Sequence, residues 1–174
     1  MIKLRELEER DKDLYIIACR QEPGCENHFS EQIFMDMLWK IANEGRKRTY
    51  AIADENDNFM GYISLENDDI PEIGISFLPE FQGKGFGAIA CRLLMAKTKE
   101  EFGISVYTVR IDPTNEKCIR MVSKLGAKKV DSRPSPFMKS LKTLVDEDKS
   151  KQFDLDVMSH FNESVLRYDL YYEE

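Results

Sequence analysis

The stretch Glu72-Ile73-Gly74-Ile75-Ser76-Phe77-Leu78-Pro79-Glu80-Phe81-Gln82-Gly83-Lys84-Gly85-Phe86-Gly87 reads as a strand that runs through a glycine-rich turn into a helix. Gly83, Gly85 and Gly87 strip side chains from a run of backbone N–H groups. The helix beginning beside them adds its unpaired first-turn donors and the positive end of its dipole. Such a turn forms a pocket for a pyrophosphate. Its donors are neutral amides reinforced by Lys84, so it works whatever the net charge of the chain.

Upstream, residues 49–53, 59–65 and 72–78 form three strand-like runs joined by short polar turns, which reads as an antiparallel meander. Downstream, residues 86–102 have the pattern of a long amphipathic helix closed by Gly103, and 106–111 that of a β-rich strand. A helical crossover between two strands predicts a parallel pair beside the meander. A helix over 115–125 ended by Gly126 and a last strand over 166–172 complete this half. At the other end, 2–7 alternates like an edge strand, and 11–19 is a short helix with Leu14, Ile17 and Ala18 on its apolar face. A loop over 21–29 leads to Ser30, an N-cap for a helix to about Asn43 that Gly45 terminates. Its apolar face is Ile33, Phe34, Met37, Leu38 and Ile41, with Trp39 as a packing residue. The expected fold is α/β (α+β): a mixed, mostly antiparallel sheet of six to seven strands, with one splayed parallel pair and flanking helices. Residues 131–163 fit neither a hairpin nor a core element and are expected to be a helical insertion before the last strand.

The chain has 174 residues, one domain's worth, with 25 basic against 32 acidic side chains and a formal net charge of −7. Binding to nucleic acid requires clustered Lys and Arg, and no such run exists, so a nucleic-acid partner is not expected. Cys19, Cys25, Cys91 and Cys118 form no C-x-x-C pair, and His28 and His160 are far apart. Neither a metal site nor a disulfide framework is therefore expected, and free thiols suit a cytoplasmic location. No leader-like apolar segment or membrane-length apolar run is present in the sequence.

Three ligand classes use a glycine turn of this kind. A Walker A loop needs Lys followed by Ser or Thr, and Lys84 is followed by Gly85. A dinucleotide fingerprint is literally present as Gly83, Gly85 and Ala88, with Asp112 ending the next strand. Residues 79–82 separate that strand from the first glycine, however, and a meander stands where βαβ units should be. A turn that only lets helix and strand pack closely is the bland alternative. The third class is acyl-coenzyme A. Gln82-Gly83-Lys84-Gly85-Phe86-Gly87 resembles the Q/R-x-x-G-x-G/A signature of the GNAT superfamily of N-acetyltransferases, and the element order matches as well. Asn115 through Gly126 resembles the second motif of that family. Glu72-Ile73-Gly74 and Ile119-Arg120 bring it nearest the subgroup that acetylates ribosomal-protein N-termini. The resemblance covers about residues 2–130 and 165–172.

This resemblance implies that acetyl-coenzyme A, as co-substrate, lies in the splay beside Ser76, Phe77 and Leu78. There backbone N–H groups would bond the pantetheine arm and polarise the thioester carbonyl. The pyrophosphate would sit on Gln82, Gly83, Lys84, Gly85, Phe86, Gly87 and Ala88. Asn115 would bond the pantetheine, cap its own helix, or both. For the chemistry, Glu72 is the candidate base, on the strand face it shares with Ser76, or else a strand-end surface charge. Cys118 stands where the subgroup has a serine, as candidate acid or as a buried small hydrophobe. Two positions depart from the family: Val122 replaces a tyrosine acid, and Ala127 replaces an aromatic.

The acceptor expected from the resemblance is a primary amine, entering between the 21–29 loop and the insertion. From residue 131 onward there are ten acidic and six basic side chains, so this quarter carries −4 of the −7. Such a surface would attract a cationic amine, or simply confer solubility. The Phe137, Leu141 and Leu144 stripe is a lid or a subunit interface, the latter implying a homodimer. The leading function is N-acetyl transfer. The alternatives are a coenzyme-binding sensor or assembly module that has lost turnover and a nicotinamide-dependent oxidoreductase.

Overall fold

The structure, a computed structural model, describes residues 1–21, 32–43, 47–67, 69–130 and 166–172, with the side chains of 32–34 and 37 outside that description. The elements run β1 (Lys3–Glu6), α1 (Lys12–Cys19), α2 (Gln32–Asn43), β2 (Lys47–Ala53), β3 (Phe59–Glu66), β4 (Glu72–Phe77), α3 (Phe86–Phe102), β5 (Val106–Ile111), α4 (Glu116–Lys124), β6 (Lys128–Val130) and β7 (Leu166–Tyr171). They form one seven-stranded sheet in the order β1-β2-β3-β4-β5-β7-β6. Only β4 and β5 pair in parallel. The expected meander and crossover are both present. β6 is a seventh strand that the sequence pattern missed, because Lys128-Lys129-Val130 is three residues with no apolar alternation. The proposed insertion and the loop over 22–29 lie outside the described residues.

A hydrophobic core covers each face of the sheet. On one face α3 and α4 close over Ile52, Ile63, Leu65, Ile73, Tyr107, Val109 and Leu170. At this depth each fully buried large apolar side chain contributes about 1.5–3 kcal/mol. On the other face α1 and α2 cover Ala51, Phe59, Tyr62 and Leu78. Here the expected face of α1 is corrected. α1 buries Tyr15, Ile16, Ala18 and Cys19, while Leu14 and Ile17 are exposed. Both stripes have helical spacing, and ring packing selects one of them: Tyr15 meets Trp39 at 5.6 Å and Tyr62 at 4.8 Å between ring centroids. In α2 the most buried described side chains are Met35 and Ala42, with Leu38 and Trp39 against the same core, one turn-spaced stripe.

The β1 edge is closed by charge. Arg5 holds Asp11 through two hydrogen bonds of 2.6 and 2.9 Å, and the Asp57 carboxylate forms ion pairs with Lys3, Arg5 and Arg10. Asp57 sits at φ 70°, left-handed backbone that Asp tolerates better than most residues, at the tip of the β2–β3 hairpin.

Candidate active site

The site begins where β4 leaves β5. β4 pairs with β3 over six residues, from Glu72 opposite Glu66 to Phe77 opposite Gly61. With β5 it has a single register pair, Glu72 opposite Thr108, next to a 2.9 Å bond from the Thr108 N–H to the Pro71 carbonyl. Beyond that point the two parallel strands diverge. The Leu78 N–H donates to the Met60 carbonyl at 2.9 Å. Directions alternate along an antiparallel ladder, so the N–H and C=O groups of Ile75 and Phe77 face away from β3, into the gap.

Gly61 explains why β4 follows β3 rather than β5. A Cβ there would lie 2.3 Å from the Ser76 carbonyl oxygen and 2.8 Å from the Phe77 Cα. Next to it, the β2–β3 register shifts between Ile52 and Ala53, leaving Met60 as an extra residue on β3. Sequence reading passed over Gly61. Its one available signal was a lone glycine inside a strand pattern, which marks a bulge or a close backbone approach.

After β4, a short turn over Pro79–Phe81 leads to Gly83 and Gly85, at φ 72° and 83°. A Cβ at either glycine would meet nothing within 4 Å, so the requirement there is conformational, and the space above the turn is open. Gly85 is the N-cap of α3 and offers no side-chain acceptor, which leaves the first-turn N–H groups of a 17-residue helix uncapped by any side chain. The third glycine differs. A Cβ on Gly87 would lie 2.4 Å from the Met121 Sδ, so a side chain here needs the flexible end of Met121, on α4, to move aside. Gln82 ties the turn back to the strand, its Nε2 donating to the Phe77 carbonyl at 3.1 Å. Lys84 and Phe86 also border a surface cavity of ≈ 340 Å³ with Met1, Ile2, Met60 and Phe81, remote from Glu72 and Asn115.

The other expected residues separate into groups. Glu72 is in the described site and is largely buried. Its carboxylate accepts from the Arg110 Nε at 2.8 Å and the Arg110 Nη2 at 3.2 Å. Burial lifts its pKa above the ordinary glutamate range, and the charge and hydrogen bonds of Arg110 oppose that shift without cancelling it. Ser76 shares the Glu72 face as expected, but its Oγ donates to the Ala18 carbonyl at 2.7 Å, so the hydroxyl holds α1 to the sheet. The Leu78 amide is likewise committed to Met60, and its side chain is buried under α1 and α2. Asn115 caps α4, its Oδ1 accepting from the Cys118 N–H at 3.1 Å. Ala88 lies in the first turn of α3.

Cys118 packs against the core under α3 and α4, on the face of the sheet opposite Glu72. Burial pushes its thiol up to about 11, and Cys91, buried beside it, up to about 12. Such a thiol stays protonated near neutrality and can donate a proton, but it is a poor nucleophile. Val122 is fully buried. Among the described residues there is no group of three or more His, Cys, Asp or Glu side chains placed to hold a metal ion, and no helix is long and apolar enough to cross a membrane.

A mixed sheet with a meander and one splayed parallel pair is not the doubly wound parallel sheet of a dinucleotide-binding domain, so the nicotinamide alternative loses its structural basis. The splayed pair, the glycine turn and the uncapped helix start define a class of acyltransferase fold. The family model described as an acetyltransferase (GNAT) domain matches residues 2–128, and the chain belongs to that family. Three solved structures are similar to it. One is described as a putative phosphinothricin N-acetyltransferase, with 17% identity, a TM-score of 0.67 and 100% of each chain covered. Another is a chimera of the Vibrio cholerae spermidine N-acetyltransferase, with 17% identity, a TM-score of 0.69, and 98% of this chain and 94% of that one covered. The third is the spermidine N-acetyltransferase of Vibrio cholerae in complex with CoA and spermine, with 15% identity, a TM-score of 0.68, and 98% and 95% covered. No curated protein sequence matches the chain at a significant level. The resemblance thus stands at the level of the family, and these structures give no support to the ribosomal-protein subgroup.

Proposed function

We propose that the protein is an acetyl-coenzyme A-dependent N-acetyltransferase acting on a primary amine by direct attack in a ternary complex. The observation that carries this reading is the continuous path from the β4–β5 gap, where β4 keeps one register pair with β5 against six with β3, to the uncapped start of α3. The pantetheine would run along the inward-facing groups of Ile75 and Phe77, in place of a strand. The pyrophosphate would rest on the amides of residues 83–88 with Lys84 beside it. That a spermidine N-acetyltransferase of similar fold is described in complex with CoA and spermine supports a coenzyme and an amine together on such a fold.

In the reaction the amine nitrogen attacks the thioester carbonyl carbon. A C–N bond forms, the carbonyl oxygen becomes an oxyanion, and the C–S bond then breaks as the amine proton leaves and the thiolate acquires one. The Phe77 N–H, not that of Leu78, is the donor for the oxyanion. Glu72 takes the amine proton. Its raised pKa brings it nearer to neutrality, and each oxygen keeps a lone pair beyond the bonds from Arg110. Glu72 and Ser76 are four residues apart on β4, roughly 13 Å at strand rise, so that proton travels through intervening water. Cys118 is the candidate acid that would reprotonate the leaving sulfur.

The test is acetyl-coenzyme A titration with an amine panel read by free-thiol release. Acetyl-coenzyme A is expected to bind and to raise the melting temperature, and Gly85→Asp to abolish both effects. Glu72→Gln is expected to keep coenzyme binding and lose about 10²–10⁴-fold in rate. If acetyl-coenzyme A has no effect on the wild type, the transferase reading fails. A coenzyme-binding module without turnover is the second reading, favoured by buried Val122 where the family has a tyrosine acid. Thiol release with any amine excludes it.

A further inference from the structure

On the face of the sheet that carries Glu72, β5 and β7 place Thr108 opposite Asp169 and Arg110 opposite Arg167. Arg110 is committed to Glu72. Arg167 is held differently. It is 7% exposed, and its Nε donates to the Thr108 Oγ1 at 2.8 Å. The Asp169 Oδ1 lies 3.6 Å from that Nε, too far for a hydrogen bond, and this oxygen, itself buried, accepts no hydrogen bond at all. The terminal amino groups of the Arg167 guanidinium have no hydrogen-bond partner among the described residues.

A guanidinium presents five donors in a planar fork, and here the terminal groups are left without a protein partner while not being sealed from solvent. On the other face, the same two strands place Tyr107, Val109, Tyr168 and Leu170 in the apolar core. The apolar core therefore does not decide the residue at position 167; Thr108 and Asp169 engage only the Nε edge of its guanidinium. An unfilled planar fork is the shape that a carboxylate completes, with two parallel N–H donors to its two oxygens.

We infer that Arg167 is the acceptor-recognition residue and binds a carboxylate at the far end of the primary amine to be acetylated. This rests on the transferase reading above. Arg110 and Arg167 lie one step beyond the Glu72–Thr108 pair, toward the open end of the gap. A carboxylate seated on Arg167 leaves the rest of the acceptor extending toward Phe77. Thr108 fixes the plane of the fork. Glu72 and Asp169 already balance the two arginines, and a polyamine or plain alkylamine has no anionic group for the unfilled end of the fork. The substrate class is thus an amino acid rather than the cationic amine that the acidic composition suggests.

The experiment titrates γ-aminobutyrate, butylamine and spermidine into the full chain saturated with coenzyme A, by calorimetry. Wild type is expected to bind γ-aminobutyrate about tenfold or more tighter than butylamine, the scale of one charge-assisted bidentate contact. Arg167→Met is expected to bind the two alike while keeping its affinity for acetyl-coenzyme A. Thr108→Val, which keeps the charge and releases the fork, is expected to lose part of the preference, so the result does not depend on one variant folding. The inference is overturned if butylamine or spermidine binds as tightly as γ-aminobutyrate, if none of the three binds, or if the preference survives in Arg167→Met. It is also overturned if Arg167→Met changes only the melting temperature. Failure of acetyl-coenzyme A to bind the wild type is a separate result, and it sinks the transferase reading itself.

Discussion

The two faces of strands β5 and β7 are built on opposite principles. On one face Tyr107, Val109, Tyr168 and Leu170 pack beneath α3 and α4, and the buried Tyr107 hydroxyl is satisfied by the Ile104 carbonyl at 2.8 Å and by Thr98 at 2.8 Å. On the other, Thr108, Arg167 and Asp169 are also buried, but they are polar, and one Asp169 carboxylate oxygen accepts no hydrogen bond. Burial alone therefore does not distinguish core from site. What distinguishes them is whether the buried polar groups are satisfied. The apolar face carries stability, and the charged face is where the proposed chemistry would lie.

The sharpest way to break that contrast is Arg110→Met. It leaves Glu72 buried without its partner and should destabilise the protein by about 3–5 kcal/mol. The double variant Glu72→Leu with Arg110→Met should recover most of that loss in urea unfolding while remaining without turnover. If the double variant is as unstable as the single one, the charged face is structural after all. The mirror experiment is Leu94→Ala, under the opposite face, where the side chain is fully buried. It should cost about 2–5 kcal/mol in unfolding free energy and leave acceptor preference unchanged. Gly61→Ala tests the geometry between the two faces. Overpacking by its Cβ should cost about 1–3 kcal/mol. By pushing Ser76 and Phe77 off β3 it should also raise the KM for acetyl-coenzyme A more than that for the amine.

The smallest expected effect lies at the β1 edge, away from both faces. Hydrogen bonds from Lys3 and Arg10 lower the Asp57 carboxyl to about 2. Burial works to raise Asp11, and the bonds from Arg5 and from the Glu8 N–H outweigh it, so this group too is lowered. A depressed folded-state pKa gives stability that is present above the ordinary aspartate value and is lost as pH falls toward the folded value. The urea midpoint should therefore drop between about pH 4 and pH 2. Asp57→Asn, which tolerates the same left-handed backbone, should flatten that drop without altering turnover at neutral pH.

What sequence could show was whatever is encoded locally. The strand, glycine turn and helix over 72–102 were legible because glycine conformation and helical periodicity act over a few residues, and α3 begins and ends at the expected positions. The buried face of α1 was not legible, since Leu14/Ile17 and Tyr15/Ile16/Cys19 are equally helical stripes and only Trp39 and Tyr62 decide between them. The Glu72–Arg110 pair joins residues 38 apart through parallel register across a helical crossover, which no short-range pattern records. Arg167 and Asp169 did leave a trace: two charged residues alternating with Leu166, Tyr168 and Leu170 in a terminal strand. That alternation is ordinary for a solvated face, and only their burial makes it informative.

The contact between Gly87 and Met121 bears on how this chain can be varied. Because a Cβ at Gly87 would lie 2.4 Å from the Met121 Sδ, the last glycine of the turn and a residue in the middle of α4 form one design unit. In a library that diversifies the turn alone, every non-glycine at position 87 will depend on whether the Met121 side chain swings aside, and any loss there will look like a failure of coenzyme binding. Pairing Gly87→Ala with Met121→Ala would separate the two causes. It would also open a route to changing the helix start without dismantling the packing behind it.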